Sequence, residues 1–519
     1  MEKIAQSKLE RVTKGATSVT LAVFISRILG LVREQVLAYY FGAGKAMDAF
    51  VVGYRIPNLL RDLFAEGALA GAFTKVFTSS VEREGLNYAF YRGSIVLSNW
   101  LLILSMVVLL GIIFAPEIVS LIAKDFLKNP DKFELTVSLT RIMMPFLLFI
   151  SISALFAGLL NSLGIFFWPA LSSGFFNLAS IIIGVLGYYL LIERGYEPIL
   201  GMALGVALGG LFQALLQYPL LKKRGFKLVP KIDFSLPEFK EVLLLLIPVV
   251  IGFSAVQINI FINTYFATSC GEGAVSWYNY AFRVMYVPLG LFGVGLGQAL
   301  LPELTRTLLQ GNLPQARELY TKILVVSLSV SLPSALGLYL ISEPLIKLLF
   351  ERGSFKEIDT LKTAEILKIL SVALPFYGLS KVSLPLFYAI NRTSIPAIGS
   401  FLAVFSNLSI ILVSIKIWEI LGVAGGTAGS LILQALFLTY MSSQILGGLS
   451  WQDLIKPLFT LGLACLALFL IVQVFLSIIK TIWALPLVIL LGALLFVSVC
   501  RFLGPQETYL FYKKLFPFL

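Results

Sequence analysis

Arg27, Arg33, Arg55 and Arg61 stand among Glu34, Asp48, Asp62 and Glu66 in two stretches that are otherwise strongly apolar. A guanidinium is a planar fork of donors that binds carboxylate or phosphate bidentately and stays charged in apolar surroundings. Asp48, Arg55, Asp62 and Glu66 are spaced 7, 7 and 4 apart, which gives one stripe on an unbroken helix. Pro57 lies among them and can shift the helical phase of the residues beyond it. Two chemistries fit. The charges could pair with one another within the first two helices, or they could form a cationic site for an anionic group. Arg141, Arg283 and Lys381 also fall in apolar windows, so the basic members outnumber the acidic ones. That surplus favours an anionic head group, phosphate or carboxylate, as the ligand.

Other chemistries are excluded by residue type. The chain has no histidine, which removes His-dependent nucleophilic catalysis, His-ligated zinc and imidazole proton relays. Cys270, Cys465 and Cys500 are far apart and form no CxxC pair. Asp125, Asp131 and Glu134 share their loop with three lysines at no metal-ligand spacing, and no nucleotide-binding motif is present. No catalytic residue, metal site or cofactor is expected, and the chain is not expected to be an enzyme. The FERGSF stretch at 350–355 reads as a solvated loop, Arg141 as a residue snorkelling near a span end, and Asn161 and Asn391 as caps or turn residues.

The elements that hold these residues must cross a membrane. Of 519 residues, 58% are hydrophobic and 13% charged, and the mean hydropathy is +0.92. Windows of about 20 apolar residues give about fourteen candidate spans. They lie near 15–41, 48–79, 93–122, 138–163, 169–192, 199–221, 241–267, 275–301, 319–349, 364–389, 395–418, 423–446, 454–478 and 482–503. The first is too long for a signal peptide and carries Arg27 and Arg33. The net charge of +12 sorts by side. With the N-terminus inside, cytoplasmic segments hold the richer share of Lys and Arg, including Lys3, Lys8, Arg11, Lys14 and the cluster Lys222, Lys223, Arg224, Lys227 and Lys231. The positive-inside rule then places both termini in the cytoplasm, and no nucleic-acid partner is expected. A charge at a span centre costs about 2.5–3.5 kcal/mol on insertion scales, so Arg27 and Arg61 must face protein or a wet cavity.

The chain also repeats itself. GMALGVALGGLFQAL from Gly201 matches GVAGGTAGSLILQAL from Gly422, with Gly201/Gly422, Ala203/Ala424, Gly205/Gly426, Ala207/Ala428, Gln213/Gln434, Ala214/Ala435 and Leu215/Leu436 in step. Pro145, Phe146, Asn161 and Asn177 recur as Pro375, Phe376, Asn391 and Asn407, and Gly44 and Gly71 find Gly273 and Gly297. Two repeats of about six helices, 1–225 and 235–447, are therefore expected, followed by 453–519 with two additional helices and a cytoplasmic tail. An even helix number gives both repeats the same sense in the membrane, as in transporters whose halves rock about a shared substrate site. The small residues suit close helix packing. The charged set is not repeated: Arg27 and Arg33 correspond to Val256 and Ile262, Asp48 to Trp277, and only Arg283 stands near the counterpart of Arg55.

The same residues carry a resemblance. SRILGLVRE at 26–34, FGAGKAMDAF at 41–50, PNLLRDLFAEGA at 57–68 and NRT at 391–393 resemble the MurJ (MviN) family, bacterial lipid II flippases of the multidrug/oligosaccharidyl-lipid/polysaccharide exporter superfamily. The likeness spans essentially the whole chain. It implies a V-shaped bundle of fourteen helices with a cationic central cavity. The implied activity moves the undecaprenyl-pyrophosphate-linked peptidoglycan precursor from the cytoplasmic to the outer leaflet of the bacterial inner membrane. On the matching motif positions it implies that Arg27, Arg33, Asp48, Arg61 and Arg283 serve binding, with Ser26 and Asn58 beside them and Glu34, Arg55 and Glu66 supporting or gating. The last two helices resemble those that form a groove for the lipid tail. Glu34 and Arg55 stand where some relatives have Asp and Lys, and Phe282 stands before Arg283 where some have an acid.

The expected fold is thus an all-α polytopic membrane protein, and the expected partners are lipid II and the bilayer. Other readings are a flippase for another lipid-linked oligosaccharide, a cation-coupled drug antiporter, a membrane enzyme acting on polyprenyl phosphates, or a non-transporting scaffold. Basic surplus argues against the antiporter, and the lack of an acid-rich metal site argues against the enzyme. Coupling to membrane potential, to a sodium or chloride gradient, or to protons would leave similar traces.

Overall fold

The computed structural model describes residues 2–64, 68–478 and 485–503. Among these every regular element is helical, as a chain must be when its backbone polar groups are satisfied without water. In order the helices are α1 (Glu2–Phe41), α2 (Lys45–Phe64), α3 (Ala68–Glu84), α4 (Leu86–Ile113), α5 (Ala115–Ile122), α6 (Pro130–Met143), α7 (Phe146–Ser162), α8 (Phe167–Ile192) and α9 (Ile199–Lys222). They continue with α10 (Pro237–Ala267), α11 (Ala274–Leu309), α12 (Leu313–Leu340), α13 (Ser342–Phe350), α14 (Glu357–Val372), α15 (Leu374–Ala389), α16 (Ser394–Ile445), α17 (Trp451–Ile478) and α18 (Leu485–Leu503). Each expected span falls on one helix or on two in succession. The second is not a single described helix: 48–79 divides into α2 and α3 on either side of 65–67. Glu66 lies outside the described residues.

Among the described residues seven helical stretches are long and apolar enough to cross a membrane, α6 and α7 counting together as one, and an eighth span forms if α14 and α15, bent by 43°, are taken together. α16 stands as one of the seven. Yet α16 is 52 residues long and breaks at Glu419, whose φ of 46° is left-handed. Its halves fold back on each other: a Cβ on Gly422 would lie 2.9 Å from the Ser414 carbonyl carbon, and one on Gly426 would lie 3.1 Å from the Asn407 carbonyl oxygen. The two spans expected at 395–418 and 423–446 are these halves.

The chain divides into two compact units, Met1–Gln257 and Ile258–Leu519. The division falls inside α10. In the first unit α8 and α9 form a hairpin of the same kind, and Gly201 touches Gly187 so closely that a Cβ would meet the Gly187 carbonyl carbon at 2.6 Å. The repeated glycines, Gly201 and Gly205 in one unit and Gly422 and Gly426 in the other, are therefore the residues where hairpin backbones meet. α1 packs on α8, α2 on α6, and α3 on α7. In the second unit α11, α12, α14 and α15 pack together. α17 and α18 cover α12 and α13 through Leu461, Ala464, Leu468, Val472, Val488 and Phe496.

Candidate functional site

Within the first unit, α1 presents its polar residues to α8. Ser26 donates from Oγ to the Ala22 carbonyl at 2.9 Å and lies 3.3 Å from that of Ala170. Asn177 of α8 donates from Nδ2 to the Ser26 carbonyl at 3.1 Å. Gly30 and Gly174 leave room for this approach, since a Cβ on Gly174 would stand 3.1 Å from Ser26 Oγ. Two turns on, the same packing lays the Arg33 guanidinium over the Phe176 ring at 5.2 Å, with Tyr54 of α2 at 6.0 Å. Arg33 Nη2 donates to Glu34 Oε1 at 3.1 Å, and the two side chains are only 11% and 4% exposed. Arg33 Nε and Nη1 are buried and meet no acceptor among the described residues. Two donors of a buried cation are therefore left for an incoming acceptor, and an anionic oxygen is the strongest available. Arg27, one residue beyond Ser26, is exposed and has no hydrogen bond or ion pair among the described residues.

On α2 the charges do not behave as one stripe. Asp48 is 0% exposed and accepts from Lys132 Nζ of α6 at 2.8 Å, with the Lys132 ammonium 4.2 Å from the Phe126 ring centroid. In this structure Asp48 is buried and its pair with Lys132 holds α2 to α6. Pro57 stands inside α2, which remains helical through it. Arg61 donates from Nε and Nη2 to Asp62 Oδ1 at 3.2 and 2.8 Å, and Gln257 of α10 donates to Asp62 Oδ2 at 3.2 Å. Arg55 and Asn58 are half-buried on the same helix. The expected set is thus brought together in part: Ser26, Arg27, Arg33 and Glu34 follow one another on α1, Tyr54 of α2 approaches Arg33, and Arg61 is paired locally.

Arg283 belongs to the second unit, half-buried on α11. Its neighbour Phe282 stacks on Tyr278 at 5.9 Å and lies tilted against Tyr286 at 4.9 Å. Nearby in that unit lies a buried polar network. Asn407 donates to Asn259 and Asn263 at 3.0 and 2.9 Å, Asn263 donates to the Tyr278 hydroxyl, and that hydroxyl meets Thr427 at 2.8 Å. Lys381 lies 5.0 Å from the Tyr377 ring centroid, and Arg141 is exposed and donates to the Ile112 carbonyl. Asn391 adopts φ 56° just beyond α15, the turn role expected of it. Sequence reasoning missed Lys132, Phe176, Tyr54 and Gln257. The one available signal was Asn177, whose recurrence as Asn407 marks the hydrogen bond that ties the first helix of each unit to the hairpin.

Residues 37–494 match the family described as "Lipid II flippase MurJ". A probable lipid II flippase MurJ of Bdellovibrio bacteriovorus is 33% identical over 86% of this chain and 85% of its own length. One from Rhizobium meliloti is 36% identical over 75% and 72%. A solved structure described as a lipid II flippase MurJ in an inward closed conformation superposes with a TM-score of 0.77 at 26% identity, covering 96% of this chain and 99% of that one. An inward-facing multidrug resistance transporter of the MATE family shares the fold alone, with a TM-score of 0.68 at 15% identity over 81% of this chain and 94% of that one. With its α1 and α2 motifs, its helical duplication and this degree of identity across most of its length, the chain belongs to the MurJ family of lipid II flippases.

Proposed function

We propose that this protein carries lipid II, the undecaprenyl-pyrophosphate-linked peptidoglycan precursor, from the cytoplasmic to the outer leaflet of the bacterial inner membrane by alternating access. The observation that carries the reading is Arg33: a buried guanidinium, held in place by Glu34 and the Phe176 ring, with two donors left for an anion. Arg27, Arg33 and Arg61 are assigned to the pyrophosphate, with Ser26 and Asn58 beside them. Arg283, in the second unit, is assigned to substrate on its motif alone. Glu34 and Arg55 orient these cations, and Asp48 positions α2 through Lys132. The reading includes six helices in each of 1–225 and 235–447, two more in 453–519, and cytoplasmic termini. No chemical step is assigned to the protein and no coupling ion is specified.

Reconstituted vesicles test this directly. Wild-type protein should move fluorescent lipid II across the bilayer and give no drug efflux. Arg33→Ala should fold and insert but lose transport, because a lost charge-assisted bond costs about 1.5–3 kcal/mol, roughly ten- to a hundredfold in binding. Arg33→Lys should recover only part, since the fork is gone. Normal transport by Arg33→Ala would remove the head-group assignment, and drug efflux without lipid II movement would remove the flippase.

A further inference from the structure

We propose that the segment that follows α9, residues 223–234, together with Lys222 at the end of that helix, is a membrane-surface strap that clamps the head groups of acidic phospholipids. The proposal is independent of which substrate crosses the protein. Its basis is where the backbone of this segment lies. Ser94, Ser98 and Asn99 belong to α4, a 28-residue apolar helix able to cross a membrane, and Arg92 is the last charge in it before Ile113. Ser94 and Asn99 are 0% exposed, yet neither spends its side chain mainly on its own helix. Ser94 Oγ accepts from the Val229 amide at 2.6 Å and lies 3.1 Å from the Val229 carbonyl. Asn99 donates to the Asp233 carbonyl at 2.6 Å and accepts from the Asp233 amide at 2.9 Å. Ser98 Oγ adds a contact to the Val229 carbonyl at 3.4 Å. The segment is therefore stapled along the beginning of the α4 apolar run, at the level of the membrane interface, and does not hang in water. Phe226, buried against Phe90 and Phe156, pins its start, and the buried Leu236 and Phe239 pin its end.

What the strap turns outward has two parts. Leu228, Ile232 and Phe234 are 50%, 55% and 47% exposed, and on α4 Tyr91, next to Lys231, is exposed as well. Exposed aliphatic and aromatic groups at this level suit the boundary of acyl chains and head groups, where Tyr is enriched. Lys222, Lys223, Arg224, Lys227 and Lys231 are exposed as well. Lys222, Lys223, Arg224 and Lys227 have no ion-pair partner among the described residues, and Lys231 lies 3.4 Å from the Tyr91 hydroxyl and acts on the Asp233 carboxylate. Of the nearby acids, Glu238 pairs with Arg92 at 3.0 Å, and Asp233 is held below the usual carboxylate range by the hydroxyl and amide of Ser235 and, to a lesser extent, by the charges of Lys231 and Arg92. Clustered Lys and Arg immediately beside a membrane helix attract acidic lipids, roughly fivefold per cation. A nucleic acid or an acidic protein would satisfy the cations but leave Leu228, Ile232 and Phe234 facing water. An acidic phospholipid satisfies both. The staples add what an ordinary basic loop lacks, a fixed array of cations.

The test uses the full chain in phosphatidylcholine vesicles, with Cys270, Cys465 and Cys500 replaced by Ala and a fluorophore on Leu228→Cys. Doxyl-labelled phosphatidylglycerol should quench it at least roughly fivefold more efficiently than doxyl-labelled phosphatidylcholine at equal content. Neutralising Lys222, Lys223, Arg224, Lys227 and Lys231 to Gln should abolish the preference while quenching by both lipids persists. Ser94→Ala with Asn99→Ala, which keeps every charge, should reduce it severalfold, and thermal unfolding like that of the parent shows that the bundle is intact. Equal quenching by the two lipids, or no quenching by either, overturns the proposal. A preference unchanged in the staple variant overturns the fixed array. None of these readouts involves lipid II or its transport, so the outcome stands apart from that of the flippase assay.

Discussion

Replacing Lys132 by alanine removes the ammonium that faces the Asp48 carboxylate where water does not reach. The two side chains are 8% and 0% exposed and meet at 2.8 Å, so the pair is a buried one. Removing one partner of a buried pair typically costs about 3–5 kcal/mol, far above the cost at a surface. At about 2–4 °C per kcal/mol for a unit of 150–250 residues, Lys132→Ala should unfold about 6–20 °C below wild type in detergent. Asp48→Leu with Lys132→Met removes both charges and should recover most of the loss, because the desolvation of two ions is removed with their attraction. The second unit supplies an internal control. There Trp277, the counterpart of Asp48, donates from Nε1 to Asp359 Oδ1 at 2.8 Å, and Asp359 Oδ2 also accepts from the Lys356 amide. Trp277→Phe leaves that carboxylate still partnered and should cost about 1.5–3 kcal/mol. The order of the two losses is the assay. If Lys132→Ala melts within about 1 °C of wild type, or less stably only by as much as an exposed lysine variant, the burial argument fails.

Two further outcomes rest on packing. Gly201→Ala places a Cβ 2.6 Å from the Gly187 carbonyl carbon, which backbone cannot yield, and should cost about 1–3 kcal/mol, whereas Gly425→Ala meets nothing within 4 Å and should be neutral in the same melt. On α17, Leu466 and Leu470 are exposed while Leu461, Ala464 and Leu468 face α12, α13 and α18. Leu466→Gln with Leu470→Gln should slow transport of long-chain precursor more than of a short-chain analogue, and equal slowing would remove the tail-groove reading of these helices.

Much of the fold could be read because the bilayer forces it. Apolar windows fell on helices throughout, and the repeated glycines marked both hairpins, since only small residues let two backbones touch. Glu419 shows the same logic from the other side: two separate spans were legible although a single residue of non-helical backbone is all that separates them. In the site, the arginines were legible as charge within apolar spans, but their partners were not. Lys132 sits 84 positions from Asp48 in what reads as an outer loop, and Phe176 looks like any other core aromatic. The strap was legible only as a basic cluster, because hydrogen bonds from Ser94 and Asn99 to backbone leave no trace in residue type at 229 or 233.

The two units solve one mechanical problem with different chemistry, and the difference points to where function lies. In each, a residue at the start of the second helix is held by the first turn of a later helix: Asp48 by Lys132 of α6, Trp277 by Asp359 of α14. In the first unit Asn129 caps α6 and Lys132 makes the latch, whereas in the second Asp359 does both. The same division appears at the first helix, where Asn177 takes the Ser26 carbonyl but Asn407 takes the side chains of Asn259 and Asn263. A latch made only for stability would be cheaper as the second unit builds it, since a neutral indole carries a smaller desolvation penalty than an ammonium. Keeping an ion pair beneath α2 makes sense if that helix must be placed with little slack, because α2 carries Arg55, Asn58 and Arg61 and brings Tyr54 against Arg33. Placement is what a binding site for a pyrophosphate demands, as a misplacement of one ångström weakens every charge-assisted bond it makes. The charged latch therefore belongs to the unit that carries the arginines, and the neutral one to the unit in which they are largely absent.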